Sequence, residues 1–245
     1  MYNLAFCNCI SSTQVELINA IRNGFKEHAF ALATLKQTNG IGSCNRNWVS
    51  DNTDSFGNIN SQIHNQYFKD IDFIFFDEYN KFNLDIKNNL YLSFFNDNLP
   101  DDLPIQSASI YYSMIMKIVL KEFGSKVFIK WPNDFYLDNK KIGGLITAKI
   151  KDKLVCGIGI NITTAPVDAN ILDIDISYST LLKTFFDRIN LNISWKEIFD
   201  YYKSDFELSR SFYFKNDDNT YSLNDVKLYE DGSILVDNKR IYSLR

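Results

Sequence analysis

Between residues 126 and 162 the chain runs K-V-F-I-K-W, then P-N-D, then F-Y-L-D, and then I-G-G-L-I-T-A-K-I and L-V-C-G-I-G-I-N-I around K-D-K. Apolar runs this short, separated by so few turn-forming residues, fold as successive hairpin strands. Pro132 presets φ, and the side chains of Asn133 and Asp134 can bond their own backbone, so W-P-N-D reads first as a turn. Any fold the chain adopts has to be built around this hairpin series.

The flanking segments supply the rest. T-Q-V-E-L-I-N-A-I-R-N-G, residues 13 to 24, places Thr13 three residues before Glu16 and ends at Gly24. That is a capping-box spacing and predicts a short helix whose N-terminus falls at Ser11 to Thr13. F-A-L-A-T-L-K predicts a strand, and Q-T-N-G-I-G-S-C-N-R-N-W is polar and glycine-rich enough to be a loop. Residues 51 to 66 are polar and turn-rich. The following D-F-I-F-F-D-E-Y favours a strand, and N-L-Y-L-S-F-F a buried one. The stretch I-Q-S-A-S-I-Y-Y-S-M-I-M-K-I-V-L-K-E-F-G repeats apolar residues at Ile110, Met114, Ile118 and Val119 and stops at Gly124. It predicts an amphipathic helix with that face in the core. Helical stretches follow near 178 to 190 and 194 to 210. The tail then alternates apolar and polar residues around E-D-G and D-N-K, which predicts a small β appendage of about 35 residues. Strands and helices mix without regular βαβ alternation, so the expected class is α/β of the α+β type, with a mixed sheet rather than a doubly wound one.

Composition narrows the function. With 245 residues, 45% hydrophobic and 23% charged, the chain can bury a full core and carry a main domain plus a small appendage. A net charge of −4 and a pI of about 5.3 leave no basic footprint for nucleic acid. M-Y-N-L-A-F-C-N-C-I-S-S-T has no basic leader, and no run approaches the roughly 20 apolar residues of a membrane span. A soluble cytoplasmic protein is expected. Cys7, Cys9, Cys44 and Cys156 include one Cys-x-Cys pair without nearby partners, a poor zinc signature, so reduced thiols are expected. His28 and His64 sit in no metal or nucleophile motif, which leaves Lys, Arg and carboxylates to carry any chemistry.

Individually the polar motifs have plain structural readings: a turn at W-P-N-D, close strand packing at G-I-G-I-N, an exposed pair at Lys140 and Lys141. Their order is more informative. A Ser-Thr pair at Ser12 and Thr13, Q-T-x-G-x-G ending in Trp48, K-W-P-N-D-x-Y-L-x-x-x-K-x-G-G and then G-I-G-I-N together resemble the biotin protein ligase family. The resemblance covers the catalytic region apart from residues 51 to 87 and includes the short C-terminal module. It implies a mixed-sheet biotin/lipoate ligase-like catalytic domain over residues 1–210, with an insertion at about 51–87, and an SH3-like β module over 211–245.

The implied reaction joins biotin to ATP as biotinyl-5′-adenylate and then passes the biotinyl group to a lysine of a carrier domain. A carboxylate approaching an α-phosphate brings two anions together, and a fixed cation offsets that charge. By the resemblance Lys141 is the essential lysine that bridges them, and Asp134 orients it or the metal-bound phosphates, while Asn133 fixes the turn. Magnesium would accompany the triphosphate. Ser12, Thr13 and Gln37 would serve the neutral ureido ring, with Gln14 nearby and backbone around Gly40, Ile41, Gly42 and Ser43 completing the cradle. Gly143, Gly144 and the G-I-G strand would let the thiophene and valeryl chain lie against backbone, with Leu145 as an apolar wall. Asn161 would meet the adenine edge or cap a strand end. Trp48 would stack on the nucleotide side, and Arg46 would join it in binding the adenylate. The implied partner is a biotin carboxyl carrier protein, of acetyl-CoA carboxylase or a related biotin-dependent carboxylase. Homodimerisation, common in the family, stays open.

Two departures stand out. The family loop commonly reads G-R-G-R-x-x-R, whereas this chain has G-I-G-S-C-N-R: Ile41 and Ser43 replace two arginines, leaving Arg46, with Lys36 as another nearby cation. Residues 51 to 87 stand where the family has a brief link, and could form a lid, a carrier-docking surface or a neutral insertion. Lipoate or octanoate ligases, which share the fold and a K-x-x-G lysine, and a biotin-holding protein with weak turnover are the alternatives. A DNA-binding repressor form would need about 60 further residues ahead of Ser12, so a ligase without that part is expected.

Overall fold

The structure, a computed structural model, describes residues 2–42, 47–48, 67–68, 73–216 and 219–242. Strand β1 (Asn3–Ile10) leads into helix α1 (Thr13–Arg22) and returns as β2 (Ala29–Gln37), which lies parallel to β1. Two two-residue strands, β3 (Gly40–Ile41) and β4 (Asn47–Trp48), pair with each other, so the segment expected to be a loop closes into a minimal hairpin at its ends. Then come β5 (Ile74–Phe76), β6 (Leu90–Asn96) and helix α2 (Ala108–Glu122). The hairpin series follows as predicted: β7 (Phe128–Lys130), β8 (Asp134–Leu137), β9 (Lys140–Ile150) and β10 (Lys153–Ile160). Helices α3 (Tyr178–Asn190) and α4 (Trp195–Ser209) precede β11 (Tyr213–Asn216), β12 (Asn219–Ser222), β13 (Lys227–Leu228), β14 (Ile234–Val236) and β15 (Lys239–Ile241).

Eight strands form one mixed sheet in the order β5-β1-β2-β6-β10-β9-β8-β7, in which β1 and β2 are the parallel pair. The period-two alternation of strand side chains gives the sheet two apolar faces. Phe30 and Leu32 of β2 and Phe95 of β6 pack with Leu17, Ala20 and Ile21 of α1. Their neighbours Ala31, Ala33 and Phe94 point the other way, into the larger core with α2, α3 and α4. Helix α2 is buried on nearly every side, from Ala108 to Met116, and Ile118 of the predicted face is only partly buried. It is therefore a core helix rather than an amphipathic one: α3, α4 and the sheet enclose it. Its one buried cation, Lys117, reaches Asp205 of α4 at 2.6 Å, and the other oxygen of Asp205 accepts the Ile129 N–H of β7 at 2.7 Å.

The cap of α1 also differs from its spacing. Ser12, not Thr13, is the N-cap and accepts from the Val15 N–H, while Glu16 takes the Ser11 hydroxyl at 2.8 Å. Thr13 is thereby released for other partners. Residues 73–87, in the segment where the family has a brief link, are largely built into the body: β5 pairs with β1, and Phe73, Tyr79 and Phe82 are buried. The polar residues 51 to 66, with His64, and Cys44 lie outside the described residues. Burial pushes the Cys7 thiol up to about 12 and holds Cys156 well above the ordinary thiol range, so both stay protonated.

The C-terminal strands make a two-stranded and a three-stranded antiparallel sheet. One point of attachment is the turn before β14, alongside Phe214 and Leu223, which are buried in the main core. The indole N–H of Trp131 donates to the Gly232 carbonyl at 3.0 Å, that of Trp195 to the Glu230 carbonyl at 2.9 Å, and the Ser107 hydroxyl donates to the Asp231 carbonyl. Gly232 has φ +72, and a Cβ there would stand 2.6 Å from Ile110 Cδ1 of α2. Among the described residues no helix is long and apolar enough to cross a membrane.

Candidate active site

The site lies on the α1 face of the sheet, where β10 carries glycine at two successive same-face positions. Gly157 is paired with Ser93 and Ile146, Gly159 with Tyr91 and Gly144. A Cβ on Gly157 would stand 2.6 Å from Gln14 Oε1, and one on Gly159 would stand 2.8 Å from the Trp48 ring. Bare backbone at these positions opens a trough with Gln14 at one end and Trp48 at the other. Four residues of strand separate Gly157 from Asn161, about 13 Å along β10.

The Gln14 end is neutral and polar. The Thr13 N–H and hydroxyl both reach Gln37 Oε1, at 2.8 and 3.2 Å, and the Thr13 hydroxyl also meets the Ser93 hydroxyl at 2.8 Å. Two contacts on its oxygen fix the orientation of the Gln37 amide. Gln14 is buried, donates Nε2 to the Val155 carbonyl at 3.4 Å, and leaves Oε1 buried without a partner among the described residues. Such an oxygen carries a desolvation penalty until a donor meets it. Gly40 packs under this end, with its Cβ position 2.9 Å from Gln37 Nε2. Ile41 and Gly42 line the mouth.

Lys141 and Asp134 face the trough from the β8–β9 hairpin, their charged groups 2.6 Å apart and both partly exposed. Asn133 does what a turn-fixing residue should: its Nδ2 donates to the Leu145 carbonyl at 2.6 Å, and the Leu145 N–H returns to the Asn133 carbonyl at 3.1 Å. A Cβ on Gly144 would meet Asp134 Oδ1 at 3.0 Å and Lys141 Nζ at 3.4 Å, so glycine lets the ion pair lie flat on the sheet. Gly143 is needed for pairing instead, since its Cβ would stand 2.4 Å from the Gly159 carbonyl. Lys140 is exposed. Tyr136, beside Asp134, is pushed up to about 12 by burial and then by that carboxylate, so it stays a neutral phenol.

At the other end Asn161 is buried and donates Nδ2 to the Asn170 carbonyl at 3.3 Å. The Asn170 N–H donates to the Lys141 carbonyl at 2.9 Å, which lays the segment carrying Pro166 and Ala169 against the cavity. Trp48 Nε1 is buried without a partner among the described residues. Gln14 and Trp48, the one with an unanswered acceptor and the other with an unanswered donor among the described residues, thus line opposite ends of one cavity.

Ser12, Thr13, Gln14, Gln37, Ile41 and Gly42 line this cavity, as do Trp48, Asp134, Lys141, Gly144, Leu145 and Asn161. Gly40 stands just behind the lining, and Ser43 and Arg46 lie outside the described residues. Sequence reasoning missed Leu92, Ser93, Ile146, Pro166 and Ala169. Ser93 had a signal, a lone hydroxyl inside the apolar run N-L-Y-L-S-F-F; the loop residues had none. Among the described residues no group of His, Cys, Asp or Glu could hold a metal. Among the described lining residues Asp134 is the one carboxylate, and it is engaged by Lys141. These donors do not fit a resident ion, so magnesium could enter only with its phosphates, as part of a substrate.

The model of the biotin/lipoate A/B protein ligase family matches residues 80–164. Over 91 residues, 35% of this chain, the sequence is 34% identical to the bifunctional ligase/repressor BirA of Escherichia coli strain K12, and the match spans 28% of that relative's length. The biotin acetyl coenzyme A carboxylase synthetase of Helicobacter pylori, solved with bound biotinylated ATP, is 30% identical with a TM-score of 0.78, covering 98% of both chains. The biotin protein ligase of Aquifex aeolicus, 22% identical with a TM-score of 0.67 over 99% of this chain and 96% of that one, shares the fold.

Proposed function

This chain belongs to the biotin/lipoate A/B protein ligase family, among its biotin protein ligases, and from that premise we propose that it activates biotin with ATP and transfers it to a carrier-protein lysine. The observation that carries the proposal is the single trough that joins a neutral polar end, the Lys141–Asp134 pair and the Trp48–Asn161 end. A ligand with an uncharged hydrogen-bonding ring, an apolar chain and a terminal carboxylate suits the first part, and a purine nucleotide the last. The Gln14 oxygen would accept from a ureido N–H, and the Gln37 cluster would hold the same ring. A purely aliphatic acid would leave this polar end unanswered, which is the argument against the lipoate reading.

In the first step an oxygen of the biotin carboxylate attacks the α-phosphorus, the bond to the bridging oxygen of the β-phosphate breaks, and pyrophosphate leaves with its magnesium. Lys141 offsets the charge gathering on the phosphoryl oxygens, and Asp134 holds the ammonium in place until substrate arrives. In the second step the acceptor's lysine amine attacks the acyl carbon, AMP leaves, and the amine gives up a proton. No covalent bond to this chain is required. The acceptor we assign is the biotin carboxyl carrier protein of acetyl-CoA carboxylase or a related carboxylase. The reading divides the chain into a catalytic part, 1–210, and a β module, 211–245. It places the enzyme in the cytoplasm, without DNA or membrane, with a homodimer as a further state to measure.

Purified protein mixed with biotin, ATP, magnesium and a biotin carrier domain should raise the carrier's mass by one biotinyl group and release pyrophosphate. An unmodified carrier together with pyrophosphate release driven by octanoate or lipoate would move the assignment to the neighbouring ligases.

A further inference from the structure

Asn89, one residue before β6, is 2% exposed and absent from the cavity lining. Its Oδ1 accepts from three consecutive backbone N–H groups, Ile162 at 2.8 Å, Thr163 at 2.9 Å and Thr164 at 3.2 Å, and from the Thr163 hydroxyl at 3.3 Å. Its Nδ2 donates to the Thr164 carbonyl at 2.9 Å, the Thr164 hydroxyl at 3.1 Å and the Tyr91 hydroxyl at 3.3 Å. Converging N–H groups form the sort of concavity that otherwise attracts an anion. Here one neutral amide fills it and also answers the adjoining carbonyl. Residues 162–164 are therefore held from inside the protein.

What that grip controls is on either side of it. Asn161 immediately precedes the held residues, while Pro166 and Ala169 follow and line the cavity. The far side of the same segment is tied by the Asn170 N–H to the Lys141 carbonyl and by Asn161 Nδ2 to the Asn170 carbonyl. The polar end at Ser12, Thr13 and Gln37 is carried by the start of α1 and by β2, and none of the residues Asn89 binds belongs to either.

We infer that Asn89 is a positioning residue for the nucleotide half of the site: it sets Asn161 and the 162–170 segment without touching substrate. The inference rests on the proposed reading, because it takes the Trp48–Asn161 end for ATP. Removing the amide leaves three N–H groups without their acceptor, the Ile162 one buried and the Thr163 and Thr164 ones partly so, and the segment shifts to find them new partners. The cost should fall on ATP and spare biotin.

The test compares wild type, Asn89→Ala and Asn89→Asp by pyrophosphate release at varied ATP and varied biotin, by calorimetry with biotin alone, and by unfolding midpoint. Asn89→Ala should raise KM for ATP by roughly ten-fold or more while the biotin Kd stays within about two-fold. Asn89→Asp keeps the acceptor for the N–H groups and loses the donor, so its KM for ATP should lie between the two. If Asn89→Ala does not fold, Asn89→Asp decides: an ATP-only effect of about three-fold or more supports the role. In an active wild type, variants whose ATP and biotin constants move together, or not at all, overturn the inference alone. A wild-type protein that releases no pyrophosphate overturns the proposed reading and this inference with it.

Discussion

At the scale of single residues, the charge arrangement is the sharpest expectation. In the proposed reaction Lys141 offsets phosphoryl charge, and its carboxylate partner at 2.6 Å keeps the ammonium over Gly144. Lys141→Ala should lower the rate of adenylate formation by roughly 100-fold or more, read as pyrophosphate release, with the unfolding midpoint little changed. Lys140→Ala, on the exposed neighbour, serves as the mild control. The glycine floor gives a second expectation. In Gly157→Ala the new methyl would stand 2.6 Å from Gln14 Oε1, the oxygen assigned to a ureido N–H. Overpacking of this kind costs about 1–3 kcal/mol, so KM for biotin should rise by roughly ten-fold or more with a smaller change for ATP. That Lys141, Asp134, Ser12, Thr13 and Gln37 share one cavity was legible from the order of their motifs along the chain, through the family resemblance, since each motif alone reads as plain structure. Ser93, Pro166 and Ala169 were not, because they reach the cavity only through strand pairing and loop closure, which local sequence does not encode.

Elements were more legible than their ends and environments. The strands of the hairpin series were readable because their punctuation is local: Pro132, Asp138 at φ 50 and Lys151 at φ 55 all stand at turns. The cap of α1 misled by one residue, since both Ser12 and Thr13 can cap, and the choice was made by Gln37 and Ser93 claiming Thr13. Helix α2 misled in another way. A periodic face is visible in sequence, but burial of the opposite face depends on α3 and α4, which arrive much later in the chain. The Lys117–Asp205 contact shows how such a buried helix accommodates a charge, with side chains 10% and 4% exposed. Removing one partner strands the other charge, so Lys117→Ala should lose about 3–5 kcal/mol. Denaturant midpoints would register it, and activity per folded molecule should hold.

For the whole molecule the question is how the C-terminal sheets relate to the site. Three donors, Trp131, Trp195 and Ser107, grip three successive carbonyls at 230–232, and Gly232 is the residue that lets the turn close against Ile110. At φ +72, and with a Cβ position 2.6 Å from that side chain, Gly232→Ala is both strained and overpacked. It should cost about 2–4 kcal/mol of stability, measured by thermal or denaturant unfolding. A midpoint equal to wild type would show that the turn is not seated in its socket. Trp131 also begins the W-P-N-D turn that presents Asp134, so the socket and the site share the turn between β7 and β8. The same geometry divides the protein's optical signal. Of its three tryptophans, Trp131 and Trp195 are locked dry at this junction and should emit a constant blue background, while Trp48 alone borders the cavity. Native fluorescence therefore separates two events without a label: filling of the cavity alters Trp48, and release of the C-terminal sheets reddens the other two.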